Sequence, residues 1–274
     1  MDPLSRLETI SIANIPISKA NFTESVNWMI NAAQTSDAQI WTATPNAEIL
    51  LETNHNLELK NYLQKCDLNT PDSISLLWAA AYLDQKWSKI RAIFEVLFCP
   101  WRQKYWQGPL SERVSGSDLF VEFCHQASKT NLKLFLAGGQ GGVSKKTAEI
   151  MQEKFPGLRI VGAIDGSPKP EDSPEMIKVI NESQAEVLFL AYGCPKQELW
   201  IMRHLIDCPQ VKLAMGIGGT FNFVAGKLKR APLLWRKLNL EWFWRLLLEP
   251  SRWRRIWRAV MVFPFYILSG QFNK

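Results

Sequence analysis

The chain has 274 residues, 47% of them hydrophobic, and a formal net charge of +6, which bounds it to one substantial α/β core with room for an appendage. No window holds the roughly 20 continuous apolar residues that span a bilayer, and the N-terminal stretch lacks the basic-then-apolar pattern of a secretory leader. Five cysteines with no CxxC pair read as buried thiols in a reducing cytoplasm, not as a disulfide framework, and neither they nor the three histidines show metal-ligand spacing.

In chain order, 39–44 reads as a strand ending at Pro45, followed by a helix over 47–66. After the turn Thr70-Pro71-Asp72 comes a short apolar helix over 76–83. A helix over 117–129, with Ser117 as its N-cap, leads to a strand over 132–137. A helix over 143–155 ends at Pro156-Gly157. A strand over 159–164, a helix over 174–182 and a fully apolar strand over 187–192 follow. Pro195, at the favoured first helical position, opens a helix to Leu205. Val211, Leu213, Met215 and Ile217 then alternate with smaller or polar residues as a buried strand. Strand-then-helix alternation predicts a mostly parallel sheet covered on both faces.

Two segments break this rhythm. From Lys227 to Arg258 there are ten lysines and arginines against Glu241 and Glu249, a local +8 that exceeds the charge of the whole chain. Trp235, Trp242, Trp244, Trp253 and Trp257 are interleaved with these cations, and the segment reads as two amphipathic helices parted at Pro250. Arginine and tryptophan at helical spacing suit a phosphorylated ligand or an anionic membrane surface. The second segment, 84–107, is apolar, aromatic and basic; it fits either a core helix or an in-plane membrane helix.

Several loops are placed for chemistry. Gly138-Gly139-Gln140-Gly141-Gly142 joins a strand to a helix, but Ser144 fails the third glycine of a dinucleotide fingerprint. Phe221 fails it after Gly216-Ile217-Gly218-Gly219, so a nicotinamide oxidoreductase is a weak alternative. Tight turning is the simpler reading of the first loop. Gly193-Cys194-Pro195-Lys196-Gln197-Glu198 leaves a strand and enters a helix, where a pyrophosphate is attracted and Gln197 and Glu198 can hydrogen-bond a nucleoside. The alternative is a helix cap with a solvated polar face. Thr44, Asn46 and Asp72 lie on loops just past strand-like segments. An aspartate in such a cleft can act as a general base toward a sugar hydroxyl, or it can be ordinary turn chemistry. Arg113 is a ligand-facing cation or a surface arginine.

Taken together and in this order, TPNAEIL at Thr44, TPDSISLLWAA at Thr70, ERVSGSDL at Glu112, LFLAGGQGGV at Leu134, AYGCPKQE at Ala191 and GIGGTFNFVAGKLKRAP with LEWFWRLLLEPSRWRR resemble the WecG/TagA/CpsF family of bacterial glycosyltransferases. The resemblance runs from about Ile10 to Arg258. It implies an inverting, metal-independent enzyme without a cofactor. Such an enzyme moves N-acetylmannosamine or a related sugar from a UDP-sugar to a polyprenyl-diphosphate-linked N-acetylglucosamine, in cell-surface polysaccharide synthesis. It implies a peripheral location on the cytoplasmic face of the cell membrane, and it leaves homo-oligomer formation open. Asp72 matches the proposed general base, with Thr44 and Asn46 beside it. Arg113 and Gln197 match positions that hold the nucleotide. Arg245, Arg252 and Arg255 match arginines of a C-terminal appendage that closes over the site. Three features depart from the family pattern: Ser73 where glycine is usual, Asn222 where aspartate is usual, and the apparent insertion at 84–107. The expected fold is α/β, a Rossmann-like, mostly parallel sheet flanked by helices. Residues 1–232 form the core and 233–274 a helical, membrane-associating appendage. The non-enzyme alternative is a peripheral membrane or nucleic-acid-binding protein; cations that share helices with Leu and Trp favour lipid over nucleic acid.

Overall fold

A computed structural model describes residues 7–98, 106–232, 235, 241–270 and 272, without the side chains of 96–98 and 245. The chain opens with an antiparallel hairpin, β1 (Thr9–Ile12) and β2 (Ile15–Ser18). Its two-residue turn holds Ala13 and Asn14 at φ 55° and 62°, the left-handed geometry that matches strand twist. Helix α1 (Phe22–Thr35) begins with a capping box: Asn21 accepts from the Glu24 amide and Glu24 accepts from that of Asn21. These elements precede the first strand read from the sequence, and Asn21-x-x-Glu24 was the signal for α1.

The main sheet then builds up. Strand β3 (Ile40–Ala43) is followed by α2 (Ala47–Glu52), α3 (Leu57–Lys65), β4 (Leu68–Asn69), α4 (Ile74–Gln85) and α5 (Lys89–Phe98). After α6 (Gly116–Ala127) come β5 (Lys133–Gly138), α7 (Val143–Lys154), β6 (Arg159–Ile164), α8 (Ser173–Ser183) and β7 (Val187–Ala191). The core closes with α9 (Lys196–His204), β8 (Leu213–Gly216) and α10 (Thr220–Val224). The six strands pair in the order β4-β3-β8-β7-β5-β6, and every pairing is parallel. The α/β expectation therefore holds, and the C-terminal ends of all six strands lie along one edge.

The core follows from period-two alternation on strands buried on both sides. On β5, Leu134 and Leu136 face one hydrophobic cluster while Phe135 and Ala137 face the other. On β7, Val187 and Phe189 oppose Leu188 and Leu190 in the same way. One face is covered by α1, α6 and α7, where Phe120 and Phe123 meet Phe189 edge-on. The other is covered by α2, α3, α4, α8 and α9.

Four local expectations need correction. The helix predicted over 47–66 is two helices, because Asn56 accepts from the Leu59 amide and caps a fresh start. Ser117 is inside α6, not its N-cap; Ser115 holds that position. Pro195 is the N-cap residue of α9 and not its first helical residue. The strand read from Val211 begins at Leu213.

The C-terminal segment has helix α11 (Glu241–Leu248), a break at Glu249, a 3-10 turn over Pro250–Arg252, then α12 (Trp253–Trp257), a π-helical turn over Arg258–Val262 and α13 (Phe263–Ser269). The parting at Pro250 is therefore present. Phe263, Ile267 and Phe272 are buried in the same cluster as the hairpin and α4, and Asn14 donates to the Phe272 carbonyl at 2.6 Å. Helix α5 is half core: its neighbours Trp87 and Trp106 are buried, and Trp106 donates to the buried Glu95 carboxylate at 3.0 Å. Ile90, Ile93 and Phe94 on the same helix are exposed. Cys66, Cys124, Cys194 and Cys208 are free thiols, whereas Cys99 lies outside the described residues.

Candidate active site

The parallel sheet brings its strand-to-helix loops to one edge, where open α/β sheets bind ligands. A cleft of about 230 Å³ opens there, with Asn46, Asp72, Ser73, Arg113, Ser115, Ser117, Glu241, Trp242, Arg252 and Arg255 on its walls. Asp72 follows β4 and is held by backbone on both sides: its N–H donates to the Pro45 carbonyl at 3.0 Å, and the Val114 N–H donates to the Pro71 carbonyl at 2.9 Å. Its Oδ2 accepts from the Gly116 amide at 3.3 Å. The start of α6 packs closely here: a Cβ at Gly116 would sit 2.8 Å from Thr44 Oγ1, so a larger residue would force a shift. Thr44 therefore lies behind the start of α6, beside Asp72 rather than on the cleft wall. Asn46 caps α2, its Oδ1 accepting from the Glu48 and Ile49 amides at 3.0 Å, so the amide NH₂ is the group it can offer the cleft.

The arginines are engaged by carboxylates from other elements. Arg113 Nη2 lies 3.1 Å from Glu241 Oε2. Arg230 forks onto Asp118 with two bonds of 2.7 Å and reaches Glu241 Oε1 at 3.5 Å. Arg252 pairs with Glu249 at 2.8 Å, and Arg255 Nε with both Glu48 oxygens at 2.7 and 2.8 Å. Burial opposes the charge of Arg113, but Asp72 and Glu241 outweigh it and hold the guanidinium above its ordinary pKa. The side chain of Arg245 lies outside the described part.

Gln197 and Glu198 are placed differently from the solvated face that spacing allowed. Both are buried in the first turn of α9. Gln197 Oε1 accepts from the Gly193 and Gly218 amides, each at 3.0 Å, and its Nε2 donates to Glu198 Oε1 at 2.9 Å. Asn222 is half-buried on α10, after the β8 loop, and is not on the cleft wall. The helix start after the Gly138–Gly142 loop is already engaged: Asp165 at the end of β6 accepts from the Gly142 amide at 2.6 Å and from Ser144 Oγ at 2.6 Å. An acidic side chain of the chain itself thus occupies the position a phosphate would take, which supports the tight-turn reading. Burial works against the Asp165 charge, yet these bonds and Lys227 hold its pKa below the usual value.

Sequence reasoning missed Glu241, Ser115, Ser117 and Trp242. Glu241 was visible as one of two acids in the basic stretch. Ser117 was visible but assigned to capping; its Oγ instead meets Thr220 Oγ1 at 2.9 Å and links α6 to the start of α10. Ser73 Oγ, at the position where the family pattern has glycine, is buried without a hydrogen-bond partner among the described residues.

Glu198 yields a prediction. Burial pushes its carboxyl pKa above the ordinary range, against the hydrogen bond from Gln197. A raised folded-state pKa gives stability that is complete below the unfolded pKa and lost as pH rises through the folded one. Glu198→Gln keeps the acceptor and removes the titration. Urea unfolding should therefore show the wild type losing stability relative to the variant as pH rises above the ordinary carboxyl range. Parallel curves for the two proteins would mean that Glu198 is ionised in the fold.

The family model described as "Glycosyl transferase WecG/TagA/CpsF family" matches residues 10–99 and 96–274. The two matches meet inside the 84–107 segment. With an acid and several arginines gathered at one sheet edge and a match over nearly the whole chain, this protein belongs to the WecG/TagA/CpsF family of glycosyltransferases, enzymes that act on sugar-nucleotide donors.

Proposed function

We propose that the enzyme transfers N-acetylmannosamine or a related sugar from a UDP-sugar to a polyprenyl-diphosphate-linked N-acetylglucosamine, with inversion and without a metal ion. The observation that carries this reading is the cleft in which Asp72 meets Arg113, Arg252 and Arg255. Asp72 takes the proton of the acceptor hydroxyl. The acceptor oxygen attacks the anomeric carbon from the face opposite the nucleotide. The bond from that carbon to the β-phosphate oxygen breaks, its electron pair leaves with UDP, and one displacement inverts the centre. Guanidinium forks meet the diphosphate oxygens and stabilise the charge that develops on them. Thr44 and Asn46 position the acceptor side, while the loops after β7 and β8, with Asn222, take the nucleotide.

The cleft must open for this to happen. Ligand sites commonly enclose about 300–1,000 Å³, more than the 230 Å³ found here. Glu241 and Trp242 of α11 form one wall. Donor binding exchanges the Glu241 carboxylate on Arg113 for a diphosphate, and α11 is the element that moves.

The helices after Pro250 support a peripheral membrane role, which we place on the cytoplasmic face. Arg252, Arg255, Ile256, Ala259 and Val260 line the cleft. Trp253, Trp257, Met261 and Phe265 are exposed at a four-residue spacing, with Trp253 and Trp257 each 56% exposed and Phe265 61%. A four-residue step outruns the 3.6-residue α-helical turn, and the wider π turn over Arg258–Val262 helps keep the stripe on one side. One segment thus presents an apolar face outward and a cationic face to the cleft, as an interfacial helix does. Helix α5 packs against α13 and adds Ile90, Ile93 and Phe94, flanked by the exposed Lys86, Lys89 and Arg91. Among the described residues, no helix is long and apolar enough to cross a membrane.

The reaction is tested by UDP release in EDTA, from a panel of UDP-sugars with a short-chain lipid-diphosphate-N-acetylglucosamine. One donor should give acceptor-dependent release, and Asp72→Asn should lower it by about 10²-fold or more. Release that survives Asp72→Asn removes the base; no turnover with any donor removes the assigned substrates. The membrane surface is tested by sedimentation with phosphatidylglycerol vesicles. Trp257→Ser/Phe265→Ser and Ile90→Ser/Phe94→Ser should each lower the bound fraction several-fold while UDP affinity is unchanged. An unaltered bound fraction contradicts the lipid assignment.

A further inference from the structure

The buried pair Gln197–Glu198 is a polar assembly at the ligand edge of the sheet that the mechanism above leaves without a chemical task. We infer that Gln197 is a positioning residue that clasps the two nucleotide loops together, and that Glu198 holds the far end of its carboxamide. The inference rests on the reading that the nucleotide lies at the ends of β7 and β8.

Gly193 follows β7 and Gly218 follows β8, so their loops neighbour each other at the open edge of the sheet. Both glycines have positive φ, 78° and 51°, which points their N–H groups in directions a strand does not use. Both amides converge on one atom, Gln197 Oε1, at 3.0 Å. A side-chain oxygen with two lone pairs is thereby saturated by two different loops. The Nε2 of the same carboxamide is engaged by Glu198 Oε1 at 2.9 Å. Packing fixes the side chain from behind: a Cβ on Gly216 would fall 2.5 Å from Gln197 Nε2.

The two glycine amides set which way the carboxamide faces, and Glu198 holds its far end. A carboxamide flipped by 180° would aim its NH₂ at two amide donors and lose both glycine bonds. The other Glu198 oxygen, Oε2, is buried with no hydrogen-bond partner among the described residues, and the Cys194 thiol faces this carboxyl. A neutral carboxyl suits that setting, because it accepts from Gln197 without placing an uncompensated charge in the interior. By contrast, a Cβ added at Gly193, Gly218 or Gly219 would meet no atom of the described residues within 4 Å, so among these residues the outer side of both loops is open. The clasp closes the inner side and leaves the outer side for the ligand. Gln197 therefore acts on the nucleotide through Gly193 and Gly218 and does not touch it.

The test compares the wild type with Gln197→Ala, Gln197→Glu and Gln197→Glu/Glu198→Gln. Amide hydrogen exchange at Gly193 and Gly218 is read without ligand, and the Kd for UDP is read between pH 5.5 and 8.5. Gln197→Ala should expose both amides and weaken UDP binding about tenfold. In Gln197→Glu the two carboxyls share a proton only on the acid side, so UDP affinity should fall as pH rises. In the double variant the carboxamide and the carboxylate have traded places, and the amide NH₂ at position 198 donates to the carboxylate at position 197. Both glycine amides should then regain protection and the pH dependence should vanish. Normal exchange at Gly193 and Gly218 in Gln197→Ala, with UDP binding lost, overturns the clasp in favour of direct contact. A double variant that keeps the pH fall overturns it as well. If Gln197→Ala does not fold, Gly216→Ala displaces the carboxamide from the rear. Faster exchange of both amides is then expected, and unchanged exchange overturns the inference. A wild type that shows the protected amides but binds no UDP contradicts the assigned nucleotide and leaves the clasp standing.

Discussion

The site depends on one half-buried cation, Arg113, flanked by Asp72 and Glu241. A partly desolvated guanidinium keeps its charge more easily with carboxylates beside it. Here those carboxylates come from opposite parts of the chain: Asp72 from the loop after β4, and Glu241 from the C-terminal helices. The pairing draws the C-terminal segment onto the core and leaves the cleft electrically balanced without a substrate. A diphosphate offers the same cation more oxygens than one carboxylate does. In the mechanism we propose, donor binding is an exchange of anions on this cationic site, and nucleotide binding is tied to movement of α11.

The rest of the fold serves to bring these groups to one edge. All-parallel pairing sends each strand-to-helix loop the same way, so Asp72, Asn46, Gly193 and Gly218 gather though they are far apart in sequence. The loops are then fixed by bonds that belong to the fold and not to a ligand. Gly116 donates to Asp72, the oxygen of Asn46 caps α2, and Gln197 ties two glycine amides. This division leaves the outward-facing groups free to bind. The helix after Pro250 follows the same division, lining the cleft with one face and presenting tryptophan and phenylalanine outward with the other.

The architecture was legible because its strands are short apolar runs separated by helical periods, and β6 was read to the residue. The 47–66 helix was misread because a capping asparagine, Asn56, outweighed a continuous apolar pattern. Asp72, Asn46, Arg113, Arg252 and Arg255 were named from ordered motifs, and they do share one cleft. Gln197 and Glu198 were named too, but their burial and the hydrogen bonds that hold them are properties of packing that no spacing reveals. Glu241 was hidden for a different reason. A lone acid among arginines looks like surface charge balance until the fold places it 3.1 Å from an arginine 128 positions away.

The most direct measurement is a structure of the protein with UDP bound. The diphosphate should lie on Arg113, with the Arg113–Glu241 pair broken, α11 displaced and the Asp72–Gly116 bond kept. UDP bound with the Arg113–Glu241 pair intact, or bound away from the edge that carries Asp72, would contradict an exchange of anions on Arg113.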